Sequence, residues 1–197
     1  MLRFVRRQAT TLVRRVRPQG WPGIEMSAAV TGEGKRVLNI GCGPASRWIP
    51  GTDGLDMTDF GQKYVGDFLA IPIDGQYDVV TCHHMVEHIS DTVALFDKIG
   101  DILKPGGLVD IRVPTFPSPQ AFQDPTHVKF IPNETFFAYF TNDSPAGHCY
   151  SRHTFLILGS NRDRFPWELH VLMEKSKPEM QSAGYHELND VPADIVR

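Results

Sequence analysis

The sequence predicts an α/β fold, a doubly wound and mostly parallel sheet that ends in an antiparallel C-terminal hairpin. Three observations predict it. Short apolar runs rich in β-branched residues alternate with a helical pattern, glycines directly follow the first run, and two extended runs lie near the end of the chain. Strands that alternate with helices are typical of a parallel sheet, because a parallel strand pair needs a long crossover connection.

The predicted elements begin with a strand in GKRVLNIGCG, residues 34–43, whose apolar run ends at glycines. A second, weaker strand is TDGLDM at 52–57, which ends close to an acid. The third strand is YDVVTC at 77–82. A helix follows over 90–103, and KPGG at 104–107 stops it, because proline and glycine both disfavour continuation of a helix.

The rest of the sheet is predicted from three further runs. The helix has one apolar face, which predicts that it packs against the sheet. That face consists of Val93, Leu95, Phe96, Ile99, Ile102 and Leu103. LVDIRVP at 108–114 is the next strand, and the runs at 154–163 and 167–175 are separated by Arg164-Phe165-Pro166. These last two runs predict the antiparallel hairpin at the edge of the sheet.

The chain divides by charge into a basic N-terminal segment and an acidic remainder. Its 197 residues carry a net charge of −3, yet residues 1–17 hold six arginines and no acid. The remainder has 14 basic and 23 acidic residues, which argues against broad binding of duplex nucleic acid. We predict a basic arm at 1–30, one domain at 31–176 and a polar tail at 177–197.

Three interpretations of the arginine-rich arm stay open: a solvated arm, a helix on an anionic membrane or partner, and an organelle transit peptide. No apolar run reaches the roughly 20 residues that cross a bilayer. Cys42, Cys82 and Cys149 form no CxxC pair, so neither a disulfide framework nor a thiolate zinc site is indicated. We expect a cytoplasmic protein with peripheral membrane contact through the arm, and the oligomeric state stays open.

The first candidate binding site is the glycine loop LNIGCGP after the first strand. Glycines there let the backbone approach a ligand closely. A dinucleotide site requires GxGxxG, whereas this loop lacks the third glycine and Pro44 removes one amide donor. Asp56, at the end of the second strand, can accept hydrogen bonds from two ribose hydroxyls. The alternative is a tight turn in which the aspartate caps the next segment.

The order of the motifs narrows this choice. LNIGCGP, GLDM, GDFLAIP, YDVVTCHHMVEHI and LKPGGLVDIRVP occur in the order of the class I S-adenosylmethionine-dependent methyltransferases, which the chain resembles over about residues 35–175. The resemblance implies their Rossmann-like fold and S-adenosylmethionine as the cofactor. It implies that Gly41 and Gly43 contact the methionine part, Asp56 the ribose, and Asp67 with Phe68 the adenine. His83 faces the mouth of the same site and completes the predicted cofactor-binding set.

The connection between the first two strands departs from the general pattern of these enzymes. The segment PASRWIPGTDGL is short and contains two prolines, so the usual first helix must be truncated. This short form is similar to a subgroup of small bacterial-type methyltransferases that are linked to glycan or cell-surface metabolism. A DPTH segment follows the fifth strand in that subgroup, and here it lies at 124–127.

A cluster of titratable side chains follows the third predicted strand in CHHMVEHI. His84, Glu87 and His88 have spacings of three and four, which on a helix place their side chains on one face. Two imidazoles and a carboxylate are competent ligands for a divalent metal, and His127 is the natural fourth ligand. The motif resembles the ExxEH metal motif of small-RNA 2′-O-methyltransferases and of some ubiquinone-pathway O-methyltransferases, with His84 in place of the first glutamate.

These residues predict an O-methyltransferase that acts on a hydroxyl of a sugar, glycan-linked or small-molecule acceptor. A metal would orient that hydroxyl and lower its pKa. The alternative is a metal-free pocket in which Glu87 and His88 orient the helix and His84 or His127 acts as general base. Two other classes stay open: a cofactor-binding scaffold without catalysis, and a nicotinamide-dependent oxidoreductase.

Overall fold

The computed structural model describes residues 34–48, 50–132, 134–141, 150–161 and 167–176. The predicted arm at 1–30, the predicted tail at 177–197 and Cys149 lie outside these residues.

One sheet forms the framework of the described part of the chain. Its strands are β1 Val37–Ile40, β2 Asp53–Asp56, β3 Tyr64–Val65, β4 Tyr77–His83, β5 Leu103–Pro114, β6 Phe155–Ser160 and β7 Glu168–Lys175. Their order across the sheet is β3-β2-β1-β4-β5-β7-β6. Strands β1 to β5 pair in parallel, and β7 pairs antiparallel with both β5 and β6. The predicted α/β fold with its C-terminal hairpin is confirmed.

The helices are α1 Thr92–Ile102, α2 Pro119–Gln123 and α3 Thr135–Tyr139, and two 3₁₀ turns lie at Ala45–Arg47 and Val86–His88. The first 3₁₀ turn directly follows the glycine loop, where the sequence predicts a truncated helix. Among the residues that the structure describes, no helix combines the length and the apolar character that crossing a membrane requires.

Helix α1 starts and stops for identifiable reasons. At its start, the Asp91 carboxylate accepts a hydrogen bond from the Ala94 amide at 2.9 Å, which satisfies one of the free N–H groups of the first turn. Its end is followed directly by β5, so the KPGG sequence lies inside the strand rather than in a separate turn. Leu103 already pairs with Tyr77, and the register then shifts before Val79. Gly106, with φ of +76°, provides a conformation that a helix does not use.

Replacing Asp91 by alanine is expected to lower the free energy of unfolding by about 1 kcal/mol, because it leaves the Ala94 amide without its acceptor. Denaturant unfolding followed by circular dichroism measures this change. The Asp91→Asn variant keeps a side-chain acceptor and is the matched control, so its free energy of unfolding should stay close to that of the unmodified chain. Equal losses in the two variants would show that the cap does not stabilise α1.

The larger hydrophobic core lies on one face of the sheet. Alternate residues of the strands, among them Leu38, Val80 and Ile111, point into it. Helix α1 covers this face with Phe96, whose ring stacks on that of Phe140 at a centroid distance of 4.1 Å. Phe136 in α3 and Phe140 directly after it therefore contribute to the core. The opposite face carries a smaller cluster that consists of Val37, Val79, Leu108 and Leu172, with Leu158 packed against it.

The strand order determines where a ligand can bind. The chain leaves β1 towards β2 and β3 on one side, while β4 and β5 lie on the other side of β1. In open parallel sheets, the crevice at such a switch point, outside the carboxyl ends of the strands, is the usual ligand site. The glycine loop after β1 and the histidine-rich segment after β4 both lie at this edge of the sheet.

Candidate active site

The glycine loop after β1 has the backbone geometry that a close ligand approach requires. Gly41 and Gly43 have φ of +71° and +61°, in the left-handed region that favours glycine. A Cβ on Gly41 would also lie 3.3 Å from Met85 Sδ, closer than most real contacts of this kind. The Gly41 amide donates to the Leu55 carbonyl at 2.8 Å, so the loop is fastened to β2.

Asp56 connects this loop to the end of β2. One carboxylate oxygen accepts a hydrogen bond from the Gly43 amide at 2.9 Å, and the other accepts one from the Thr58 amide at 3.0 Å. The side chain is half-buried, and each carboxylate oxygen retains a lone pair. Asp56 is therefore oriented beside the loop and can still accept hydrogen bonds from a ribose, as its predicted role requires.

Trp48 is a residue of this region that the sequence analysis does not identify. Its indole N–H donates to the Gly43 carbonyl at 2.8 Å. The long helix that usually follows β1 is replaced here by a 3₁₀ turn, and the indole holds the loop from the other side of that turn. The sequence feature that could have indicated this role is a tryptophan in a short connection that contains prolines.

The two neighbouring residues that were predicted to contact the adenine have side chains in different environments, one exposed and one buried. The Asp67 side chain is exposed after β3, and its carboxylate accepts a hydrogen bond from the Leu69 amide at 2.8 Å. Phe68 is fully buried in the larger core. The Phe68 ring thus packs inward and anchors the loop, and the predicted adenine contact at this position stays a prediction.

His83 ends β4 and points across the sheet to β5. Its Nε2 lies 3.0 Å from Asp110 Oδ2, and the Asp110 carboxylate is itself buried. A carboxylate that binds one imidazole nitrogen fixes the orientation of the ring. His83 thus lies at the predicted edge of the site with its ring held by β5, and Asp110 is its orienting partner.

Glu87 is the central residue of the histidine-rich segment. Its side chain is 2% exposed, and neither carboxylate oxygen has a hydrogen-bond partner among the described residues. A buried carboxylate without a hydrogen bond is costly, so a native structure normally supplies one with a donor, a counter-ion or a metal. Two imidazole nitrogens lie close to its Oε1, His84 Nδ1 at 3.6 Å and His127 Nε2 at 3.9 Å.

His127 Nε2 lies 3.9 Å from Glu87 Oε1, and the His88 ring lies beside that of His127 at a centroid distance of 4.8 Å. His127 Nδ1 lies 2.9 Å from the Ala121 carbonyl, and His88 Nδ1 lies 3.0 Å from the Thr126 hydroxyl and 3.3 Å from the Thr126 carbonyl. A carbonyl only accepts, so a neutral His127 ring donates from Nδ1 and has its lone pair on Nε2. Metal-binding histidines are commonly oriented in this way by a second partner.

One ligand atom from each of Glu87, His88 and His127 lies within 4.8 Å of the others. A cation at about 2.1 Å from nitrogen and oxygen ligands needs ligand atoms roughly 3–4 Å apart. Small side-chain rotations would close that difference. The structure thus brings together three of the four residues predicted as metal ligands, on the 3₁₀ turn after β4 and on the loop after α2.

His84 does not belong to this group, and its predicted roles as metal ligand and general base stay predictions. It has a φ of +51°, so it turns away from the helical arrangement that the spacing predicts. Its Nε2 lies 2.6 Å from Glu168 Oε1. The hydrogen bond to Glu168 and the nearby negative charge of Glu87 raise the pKa of His84 to about 9.

Glu168, at the start of β7, is the second residue that the sequence analysis does not identify. Its carboxylate also bonds His170 Nε2, and the hydrogen bonds to His170 and His84 hold the pKa of Glu168 well below its usual range. The antiparallel direction of β7 places its first residue at the carboxyl edge of β5, opposite Pro114. The WELHV pattern carried an acid at this strand start, but no local signal linked it to His84.

Replacing Glu168 by glutamine is expected to lower the pKa of His84 by roughly one pH unit or more, because a nearby anion favours the charged imidazole. A pH titration of the imidazole signals by NMR measures this change, starting from a midpoint of about 9. The Glu174→Gln variant, on the same strand, is the control and should leave the midpoint unchanged. An unchanged midpoint in Glu168→Gln would contradict the ion pair.

The chain matches the model of the methyltransferase domain family over residues 1–155. The ubiquinone biosynthesis O-methyltransferase of Bordetella bronchiseptica is 33% identical over 99 residues, which cover 39% of this chain and 41% of the relative. The chain thus spans about two fifths of the length of the curated relatives it matches. The same enzyme of Acinetobacter baumannii is 33% identical over 100 residues, which cover 39% of this chain and 42% of the relative.

Solved structures share the fold at low sequence identity. The YcgJ protein of Bacillus subtilis has a TM-score of 0.50 and 15% identity over 77% of this chain and 98% of that chain. A chain of the complex between the Haloferax volcanii Trm112 methyltransferase activator and a methyltransferase has a TM-score of 0.52 and 18% identity over 73% of this chain and 83% of that chain. With the strand order and the glycine loop, the family match leads to one conclusion: the chain belongs to the methyltransferase domain family and has the class I methyltransferase fold.

Proposed function

We propose that the chain is an S-adenosylmethionine-dependent O-methyltransferase that uses a divalent cation held by Glu87, His88 and His127. The observation that carries the proposal is the buried Glu87 carboxylate, which has no hydrogen-bond partner among the described residues and faces an imidazole Nε2. The acceptor is a hydroxyl of a sugar, glycan-linked or small-molecule substrate. Relatives whose names include O-methyltransferase support oxygen as the nucleophile.

The donor set fits a hard or borderline cation. Two imidazole nitrogens and one carboxylate suit Mg²⁺, Mn²⁺, Fe²⁺, Co²⁺ or Zn²⁺, and no thiolate belongs to the group. When bound, such a cation polarises a coordinated hydroxyl and fixes its orientation. Three protein ligands leave coordination positions open for that hydroxyl. The Ala121 and Thr126 partners hold the orientation of the two rings.

The remaining residues would position the cofactor. Gly41, Gly43 and Asp56 would hold S-adenosylmethionine at the β1 edge, next to the β4 exit that carries the cluster. Methyl transfer from a sulfonium needs a nucleophile in line with the methyl carbon at about 3 Å, so it depends mainly on positioning. Met85, packed on Gly41, separates the glycine loop from the 3₁₀ turn of Glu87 and would set the spacing between cofactor and acceptor.

The test is the transfer of a labelled methyl group to a panel of glycans and small hydroxylated acceptors. The purified chain is first treated with a chelator, and Mg²⁺ or Mn²⁺ is then restored. We expect transfer that falls with chelation and returns with the cation. Transfer at the same rate with and without the chelator would contradict a role for the metal. It would favour His127 as general base instead, since its Nε2 can accept a proton. No transfer to any hydroxyl would reject the proposed function.

A thermal-shift comparison separates the proposal from the nicotinamide alternative. A ligand at a hundredfold its dissociation constant stabilises a folded protein by about 2.7 kcal/mol. S-adenosylhomocysteine should raise the melting temperature, and NAD should not. Stabilisation by S-adenosylhomocysteine without any methyl transfer would instead favour a non-catalytic cofactor-binding scaffold.

A further inference from the structure

Arg112 is a half-buried arginine of β5 that the site described above does not use. Its Nε is buried without a hydrogen-bond partner, and within the described part of the chain its guanidinium forms no ion pair with an acid. A buried charged donor without an acceptor is costly, so a native structure normally supplies one. The guanidinium therefore has donors available for a ligand.

Arg112 belongs to a row of polar side chains on the sheet face that carries the smaller hydrophobic cluster. It pairs in register with His83 of β4 and with His170 of β7, and directly paired positions carry their side chains on the same face. Leu108 lies on this side of β5 by alternation and belongs to the smaller cluster. Arg112 thus lies between two histidines near the carboxyl end of β5.

The two acids of this row already bind histidines. Asp110 Oδ2 lies 3.0 Å from His83 Nε2. The Glu168 carboxylate binds both His170 Nε2 and His84 Nε2. An arginine stays charged at any ordinary pH, so its positive charge has to be balanced from another source. Neither acid of the row supplies that balance.

The row is connected to the proposed reaction site by side-chain and backbone contacts. The Glu168 carboxylate lies 2.6 Å from His84 Nε2, and His84 Nδ1 lies 3.6 Å from Glu87 Oε1. The His84 amide also donates to the Arg112 carbonyl at 2.8 Å. Neighbouring strands are about 4.8 Å apart, so Arg112 is one such spacing away from the end of β4. A small molecule can therefore contact Arg112 and the reaction site together.

The chemistry of a guanidinium selects its ligand. Its Nε–H and one Nη–H form a planar fork that matches two oxygens of a carboxylate or a phosphate. S-adenosylmethionine also carries a carboxylate, so the cofactor and the acceptor are two sources of the same chemistry. The acceptor is favoured, because Gly41, Gly43 and Asp56 lie after β1 and β2, whereas β5 is separated from β1 by β4.

We propose that Arg112 binds a carboxylate or phosphate group of the methyl acceptor, whose hydroxyl reaches the Glu87, His88 and His127 group. The acceptor class is then an anionic hydroxylated compound, such as a sugar acid, a sugar phosphate or a hydroxylated aromatic acid. This inference rests on the proposed function for the destination of the hydroxyl. The binding of the anionic group is measurable without any methyl transfer.

The experiment follows the arginine Nε–H signals by NMR while the chain, saturated with S-adenosylhomocysteine, is titrated with matched compounds. Glucuronate and glucose 6-phosphate are compared with glucose, and 3-hydroxyphenylacetate is compared with 3-hydroxyphenylacetamide. At least one anionic compound should shift the Arg112 signal and bind at least about tenfold more tightly than its neutral counterpart. The signal is identified by its absence from the spectrum of Arg112→Lys.

Three variants test the assignment of this preference to the guanidinium. Arg112→Gln should lose the preference for the anionic compound, because the charge is gone. Arg112→Lys keeps the charge without the planar fork and should retain only part of it. Arg152→Gln is the matched control, since Arg152 already pairs with Asp97 and Asp101, and it should keep the full preference. The rise in melting temperature with S-adenosylhomocysteine checks that each variant is folded.

The outcomes separate the alternatives. An Arg112 signal that none of the anionic compounds shifts, or a preference that Arg112→Gln keeps, overturns the inference. A signal shifted by S-adenosylhomocysteine alone, with weaker cofactor binding in Arg112→Gln, overturns it in favour of the cofactor carboxylate. Inorganic phosphate that binds as tightly as the preferred anionic compound overturns it in favour of a free anion. Anion-dependent binding without methyl transfer supports the inference while the proposed function fails.

Discussion

Replacing Glu87 by glutamine is expected to lower methyl transfer by at least about a hundredfold, which corresponds to roughly 2.7 kcal/mol of transition-state stabilisation. The substitution keeps the size of the side chain but removes the negative charge that faces His127 Nε2 at 3.9 Å. A neutral amide is a poor ligand for a divalent cation, so calorimetry should also detect weaker Mn²⁺ binding. The rate of labelled methyl transfer at saturating acceptor measures the main effect.

Two controls separate the loss of a ligand from a loss of structure. The affinity for S-adenosylhomocysteine should be unchanged in Glu87→Gln, because the glycine loop and Asp56 make no hydrogen bond to Glu87. The Asp101→Asn variant removes an acid from the exposed face of α1 and should keep full activity. Full activity of Glu87→Gln with restored cation would contradict the role assigned to the buried carboxylate.

Replacing Asp56 by alanine is expected to weaken S-adenosylhomocysteine binding by roughly 10- to 100-fold. The carboxylate orients the Gly43 amide at 2.9 Å and is placed to accept the ribose hydroxyls, and hydrogen bonds to a charged group contribute about 1.5–3 kcal/mol. Calorimetry measures the dissociation constant. Mn²⁺ binding should not change, because Asp56 lies at the β2 edge, outside the Glu87, His88 and His127 group.

The matched control for Asp56 is Asp59→Ala in the same loop. Asp59 also binds a backbone amide, that of Gly61 at 2.9 Å, but it lies beyond the end of β2. Its replacement should leave the dissociation constant for S-adenosylhomocysteine within about twofold. Equal weakening in both variants would mean that loop order, and not a ribose contact, accounts for the effect.

The sequence predicted six of the seven described strands, because their signals are local, whereas the two-residue strand β3 was not predicted. The apolar runs at β1, β4 and β5 and the glycines after β1 each specify an element within a few residues. The hairpin of β6 and β7 also appeared as predicted, because two extended runs with a short break have few other arrangements. The order of the strands in the sheet could be predicted only from the sequence of all the motifs along the chain, because no single strand indicates which strands lie beside it.

The site was only partly predictable, because its details depend on long-range contacts. The HxxEH spacing predicted one helical face, yet His84 adopts a left-handed backbone and pairs with Glu168, which is 84 residues away in the chain. Phe68 was assigned to the cofactor from a motif, but burial in the core decides its position. Glu87 and His127 were predicted to meet, and the structure places them 3.9 Å apart.

The most direct test of the account is a titration of the chain with Mn²⁺, followed by the NMR signals of the histidine imidazoles. A paramagnetic ion broadens nearby nuclei, so it reports where the cation binds. We expect the His88 and His127 signals to broaden first, before those of His153 and His170, and this order to disappear in Glu87→Gln. Broadening that begins at His170, or that is the same in Glu87→Gln, would contradict the proposed metal site.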